Sequence, residues 1–251
     1  MAAISLPGLA AAAQTGPASA EDGWLLKQQS SLGGRIDFTI TDTAIRMDGL
    51  TCGFTVISRA PDWKICVYRT DTKEMGFLNL AQWRDWNTST VGSTDECTLD
   101  KPISKKKITL QGLNLPAYLY TFPGEISTSA LFQTEKPREF SCYLVQTCAL
   151  SRAPQVSKLQ CELFNCVPLD GVLMSCLGQL KDSQERNWEI RTISLKRLKA
   201  IPAATFSIPS TYKKLKSMPQ QFKFKSMANS LDEMGGMLNL GESERRPRIR
   251  R

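Results

Sequence analysis

The stretch Ile36–Asp48, with the sequence IDFTITDTAIRMD, establishes the fold class. Apolar and polar residues alternate through Ile36–Ile40, which is typical of a strand with one buried and one exposed face. Thr41–Thr43 supplies polar turn residues, and Ala44–Asp48 follows as a returning strand. The stretch therefore predicts an antiparallel β-hairpin.

The same pattern of short strands continues along the chain at a spacing of roughly ten residues. Further strands are predicted at residues 54–57, 64–68, 75–80, 105–110, 115–122, 140–150, 171–177 and 187–198. Val156, Leu159 and Leu163 fall near helical spacing, so residues 155–166 are predicted to form a helix. The chain is therefore mainly β, with about ten antiparallel strands and one or two short helices.

The chain contains no histidine, which excludes Ser/His/Asp triads, Cys/His dyads and histidine metal sites. The paired carboxylates Asp95/Glu96 and Glu185/Glu189 lie in polar turns or at exposed strand positions, whereas glycosidase carboxylates need burial. No glycine-rich phosphate loop is present either. We therefore expect no enzymatic activity and no cofactor.

The first 20 residues are rich in small apolar side chains and end in Ala18-Ser19-Ala20, a typical processing site for secretion. No Lys or Arg precedes Lys27, so the segment is either a truncated signal peptide or a low-complexity leader. We favour the signal peptide, which predicts an exported, periplasmic protein that is soluble or peripheral to the membrane. The predicted organisation is a leader at 1–20, a barrel domain at 21–216 and an extension at 217–251.

Eight cysteines are compatible with disulfides in an exported chain, and Cys142/Cys148 and Cys161/Cys166 are spaced to close short loops. Buried thiols are the alternative, notably at Cys66, which lies within an apolar strand. A metal site is disfavoured because no Cys-x-x-Cys spacing occurs.

Trp63, Trp83 and Trp86 lie close together in the sequence and near predicted strand ends. Indole rings at the mouth of a barrel either line an apolar ligand cavity or plug the end of the core. Both interpretations remain open at this point.

The C-terminal extension combines an apolar stripe with a basic tail. Met227, Leu231, Met234 and Leu238 recur at helical spacing, and this stripe covers either the domain's own core or a partner or membrane surface. Five of the eight net positive charges lie in the tail, so the rest of the chain carries +3 and we expect no nucleic-acid binding. The tail is either solvated or contacts an anionic membrane or an acidic partner. Its arginines are Arg245, Arg246, Arg248, Arg250 and Arg251.

Residues 24–216 resemble the bacterial lipoprotein-carrier (LolA/LolB-like) superfamily, and in particular the uncharacterised periplasmic domains grouped beside it. The hairpin at 34–48 is similar to the opening of those domains, and residues 202–212 match their P-x-x-x-F-x-x-P-x-x-Y ending. The resemblance implies a half-open antiparallel β-barrel whose apolar concave face is covered by helices. It also places Arg46 where the carriers have an arginine that helps to hold the lid.

Two functions follow as hypotheses. The first is a non-enzymatic periplasmic protein that binds or carries a lipid or another apolar ligand, with Trp63, Trp83, Trp86 and Arg46 as site residues. The alternative is an accessory subunit that docks on an envelope membrane protein complex through residues 217–251.

Overall fold

The hairpin at Ile36–Asp48 is the centre of a much larger antiparallel sheet in the computed structural model. The structure describes residues 20–30, 34–50, 53–88, 99–110, 112–124, 126–127, 138–164, 166–181 and 186–218. The strands are β1 (Glu21–Ser30), β2 (Gly34–Ile40), β3 (Ala44–Gly49), β4 (Phe54–Arg59), β5 (Ile65–Arg69), β6 (Glu74–Leu78), β7 (Ser104–Ile108), β8 (Ala117–Pro123), β9 (Ile126–Ser127), β10 (Arg138–Cys148), β11 (Val172–Leu180), β12 (Arg186–Ile201) and β13 (Lys213–Lys214). The helices are α1 (Leu80–Thr88) and α2 (Pro154–Leu163), with a short 3₁₀ turn at Ala203–Phe206.

Twelve strands of the described chain follow the order β13-β6-β5-β4-β3-β2-β1-β12-β11-β10-β8-β7, and β9 pairs with β10 beside this path. All pairs are antiparallel except β13 with β6, which is parallel. Within the described residues the end strands β13 and β7 do not pair with each other, so the barrel is half open. The predicted fold class, a mainly β half-open antiparallel barrel with few helices, is confirmed.

Four elements are absent from the sequence-based prediction: the strands β1, β9 and β13 and the helix α1. Strand β1 was not predicted, because two of its inward-facing residues, Gln28 and Ser30, are polar and break the apolar alternation. Helix α1 occupies a segment where tryptophans were expected to flank strand ends. Helix α2, by contrast, confirms the helix predicted at 155–166.

The inner face of the sheet carries Ile45 and Met47, and it packs against both helices in one apolar cluster that includes Trp83 and Leu159. The outer face of the same strands carries Ala44 and Arg46. We call residues Pro202–Met218 the strap, because this segment covers part of the outer face and then runs beside β6. Phe206 of the strap is buried against outer-face residues, so neighbouring strands such as β5 are buried on both faces.

Within the described residues, no helix is long and apolar enough to cross a membrane.

Candidate ligand pocket

Helix α1 places two of the predicted tryptophans in the core. Trp83 is fully buried, and its indole N–H donates a hydrogen bond to the carbonyl of Leu159 on α2 at 3.3 Å. Its ring lies 5.6 Å from that of Trp86, which in turn meets Phe54 edge to face at 6.2 Å. Aromatic pairs at these distances add to the stabilisation from burial alone. Trp83 therefore plugs the inner face, which was one of the two interpretations open from the sequence.

Helix α2 is held on the same face by buried polar contacts. The Gln160 side chain accepts a hydrogen bond from the Leu173 amide at 2.7 Å and donates one to the Leu173 carbonyl at 3.1 Å. It also donates to the Gln28 side chain at 3.2 Å. Both glutamines are completely buried. Helices α1 and α2 thus cover the apolar inner face of the described sheet.

A pocket of about 220 Å³ lies where α1, β6 and the end of the strap meet. Its lining residues are Gly76, Phe77, Leu78, Gln82, Trp86, Leu215, Lys216, Ser217 and Met218. Leu78 and Trp86 also belong to the inner-face core, while Lys216 and Ser217 are exposed at the surface. The pocket therefore joins an apolar interior to a polar rim that carries a positive charge. It is smaller than the roughly 300–1,000 Å³ typical of drug-sized ligand sites.

Gly76 is the feature of β6 that allows this arrangement. A Cβ atom at position 76 would lie 2.0 Å from the sulfur of Met218, so the methionine side chain occupies the space that any other residue would fill. The backbone of the strap is also bound to β6, because the amide of Leu215 donates a hydrogen bond to the carbonyl of Met75 at 2.8 Å. A glycine inside a strand often marks a place where another segment packs closely against the backbone. Gly76 was therefore the residue in the sequence that could have indicated a contact such as the one with Met218.

The structure does not bring the four predicted ligand-binding residues together. Trp63 lies in the turn between β4 and β5 and is partly buried against the inner-face core. Arg46 lies on the outer face, where it donates to both carboxylate oxygens of Asp48 at 2.8 and 2.9 Å and to the Thr205 carbonyl at 3.0 Å. The prediction that Arg46 shares one site with the tryptophans was therefore wrong. Ile45 and Met47, on either side of Arg46 in β3, face inward, and because side chains alternate along a strand Arg46 faces outward. Its role here is to hold the strap.

The described cysteines are thiols in this structure, and no disulfide joins any two of them. Cys142 and Cys148 lie on the single strand β10, so six residues of extended chain separate them by about 20 Å. Disulfide partners need Cα atoms within about 7 Å, so the short loop predicted between these two cysteines is wrong. Cys66 is a buried thiol, and Cys161 and Cys166 lie side by side at the end of α2.

Several predicted features lie outside the described residues. They are almost all of the leader at 1–20 and the proposed contact residues of the extension: Met227, Leu231, Met234, Leu238, Arg245, Arg246, Arg248, Arg250 and Arg251. In the part of the chain that is described, no group of three or more Cys, Asp or Glu side chains is arranged to hold a metal ion.

Comparison with known proteins leaves the family open. No protein-family model matches the chain, and no curated protein does. Among solved structures, the chain is similar to an uncharacterized conserved protein from Thermus thermophilus, at 7% identity and a TM-score of 0.30. The match covers 76% of this chain and 88% of that chain. A likeness at this level says nothing about function, and the resemblance to the lipoprotein carriers stays a prediction.

Proposed function

We propose that this protein is a non-enzymatic binding protein that takes one acyl chain of an anionic amphiphile into the pocket beside Gly76. The observation that carries the proposal is the pocket itself, which connects the buried Trp86 to a surface rim bearing Lys216. This location replaces the wider concave site expected from the sequence, because α1 and α2 fill the inner face.

The chemistry of the lining supports an amphiphilic ligand. Leu78, Trp86 and Leu215 offer apolar surface for an alkyl chain, and burial of such a chain is worth about 0.8 kcal/mol per CH₂ group. Lys216 supplies a positive charge at the rim for a carboxylate or phosphate head group. With a volume of about 220 Å³, the pocket accommodates part of one chain, and a longer ligand would have to displace the Met218 side chain.

The flexible Met218 side chain is suited to such a displacement. Methionine is unbranched and adapts its shape to irregular apolar surfaces. Met218 is only partly buried, and its sulfur lies over Gly76 at the edge of the inner-face core. A ligand chain can therefore take its place without moving the sheet.

The test is titration of the delipidated full chain with a fluorescent fatty acid, alongside two matched variants. Ser217→Trp places an indole at the pocket rim, whereas Ser207→Trp makes the same change at an exposed strap position outside the pocket. We expect Ser217→Trp to weaken binding at least tenfold and Ser207→Trp to leave it unchanged. Absence of binding by the unsubstituted protein, or equal loss in both variants, would overturn the proposal.

The second candidate function, docking of the extension on an envelope membrane complex or an anionic membrane surface, is supported by where the strap ends. The strap leads to Met218 at the open side of the sheet, and residues 219–251 continue from that point. Replacing all five tail arginines with glutamine should abolish sedimentation with phosphatidylglycerol vesicles at low salt. Unchanged sedimentation would remove the tail from any membrane role.

A further inference from the structure

Three cysteines belong to one buried apolar cluster, and two of them lie at the end of α2. Cys161 is in the last turn of the helix, Cys166 follows it, and Cys176 is on β11. Cys161 is fully buried and Cys166 is 4% exposed. This cluster is separate from the pocket beside Gly76, and the proposed binding function does not use it.

The backbone holds Cys161 and Cys166 within disulfide distance of each other. The amide of Cys166 donates a hydrogen bond to the carbonyl of Cys161 at 2.9 Å, in a turn of the kind that ends many helices. With standard bond lengths, this contact limits the separation of the two Cα atoms to about 6.8 Å. Disulfides span Cα separations of about 4.4–6.8 Å, so the separation of this pair does not exceed what a disulfide can span.

The surroundings of the Cys161 sulfur favour its thiolate. The Cys161 sulfur forms hydrogen bonds with the Cys166 side chain and with the backbone amide of Leu169, and it lies 3.9 Å from the Ser157 hydroxyl oxygen. The hydrogen bond with Cys166 is the main cause that lowers the pKa of Cys161, despite burial. At Cys66, by contrast, burial raises the pKa of the thiol to about 11. Thiolate is the reactive form in disulfide exchange, so the two buried cysteines differ sharply in chemistry.

We propose that Cys161 and Cys166 form a reversible disulfide that closes the C-terminal turn of α2. The Cys161 thiolate attacks a small-molecule disulfide such as glutathione disulfide and expels one glutathione thiolate. Cys166, after losing its proton, then attacks the Cys161 sulfur of the mixed disulfide and expels the second glutathione. Two protein thiols are oxidised, one glutathione disulfide is reduced, and the two thiol protons pass to the released glutathione.

The disulfide would fix the helix that fills the inner face. Leu159 and Gln160, one turn or less before Cys161, bind Trp83 and β11, so tying down the end of α2 restrains these contacts as well. Closing a loop of six residues stabilises a protein mainly by restricting its unfolded chain. For a domain of this size we expect the unfolding midpoint to rise by about 5 °C on oxidation.

The experiment maps thiols in the full chain after equilibration with glutathione disulfide and alkylation of the remaining thiols. Trypsin cuts after Lys158 and so separates Cys161 from Cys142 and Cys148, and a second protease that cuts after acidic residues separates Cys161 from Cys166 at Glu162 and Cys166 from Cys176 at Asp170. We expect the fragments carrying Cys161 and Cys166 to stay joined, with a mass lower by two hydrogen atoms, and to separate on reduction. Because both sulfurs are buried, the reaction should accelerate when mild urea opens the helix end.

Two serine variants complete the test. Cys166→Ser should abolish both the linked fragments and the rise in the unfolding midpoint, whereas Cys142→Ser, on β10, should retain both. The proposal is overturned if Cys161 and Cys166 are both recovered alkylated, if either is joined to another cysteine instead, or if Cys166→Ser shows the same rise on oxidation. If Cys166→Ser does not fold, the fragment map of the unsubstituted protein decides alone.

Discussion

Replacement of Gln160 by leucine tests whether α2 is a fixed part of the core. Leucine removes the side-chain acceptor of the Leu173 amide and the side-chain donor to Gln28. The Leu173 carbonyl keeps a second donor, because Gln28 also donates to it at 2.8 Å. The substitution therefore leaves two buried polar groups without their partners: the Leu173 amide hydrogen and the Gln28 side-chain oxygen.

The magnitude follows from that count. Each buried polar group that loses its partner costs about 1–3 kcal/mol, and the extra apolar burial of leucine returns a part of the loss. We expect the free energy of unfolding to fall by about 3 kcal/mol. With a urea dependence of roughly 2–3 kcal/mol per molar, the unfolding midpoint should move down by about 1 M.

The assay is urea denaturation followed by tryptophan fluorescence, which reports the environment of the buried Trp83. Gln155→Leu is the matched control, since Gln155 is on the same helix but exposed, and it should change stability by less than about 0.5 kcal/mol. A loss below about 1 kcal/mol for Gln160→Leu, or equal losses in the two variants, would show that α2 is not anchored by this network.

Three further predictions concern other parts of the fold. Arg46→Met removes the side-chain donor to Thr205 and should lower stability by about 1–3 kcal/mol while exposing the strap to proteolysis; an unchanged cleavage rate would exclude the anchoring role. With a pKa of about 11, the Cys66 thiol is deprotonated in roughly one molecule in a thousand at pH 8. Alkylation of Cys66 should therefore be far slower in the folded protein than in urea, and mass spectrometry of the labelled peptides measures both rates. Hydrogen bonding to Lys105 lowers the pKa of Asp170, so this pair contributes stability above the ordinary pKa of aspartate and loses it as the pH falls through the lowered value. Because both side chains are largely exposed, Lys105→Met should cost no more than about 1 kcal/mol at pH 7 and less as the pH falls through the lowered pKa of Asp170; a pH-independent loss would contradict the assignment.

The predictions that succeeded depend on local patterns. Alternation identified β2 and β3 because their buried positions are apolar and regularly placed. Helical spacing of Val156, Leu159 and Leu163 identified α2, although Ser157 and Gln160 of this helix are also buried. Strand β1 was not predicted because its buried positions include the polar residue Gln28. The buried Gln28 side chain forms hydrogen bonds with Leu173, Met174 and Gln160, which are distant in the chain. No local pattern contains those partners.

The sequence by itself determined the mainly β class, the positions of most strands along the chain and the absence of histidine chemistry. These depend only on residue type and on spacing within one element. Tertiary structure alone decided that Trp83 fills the core, that Arg46 faces the strap, and that Cys142 and Cys148 are held apart. The pocket beside Gly76 also belongs to this second group, because its walls come from β6, α1 and the strap. Contacts between segments far apart in the chain depend on the curvature of the sheet and on which face of each strand meets the other segment. The periodicity of residues within one element determines neither of these.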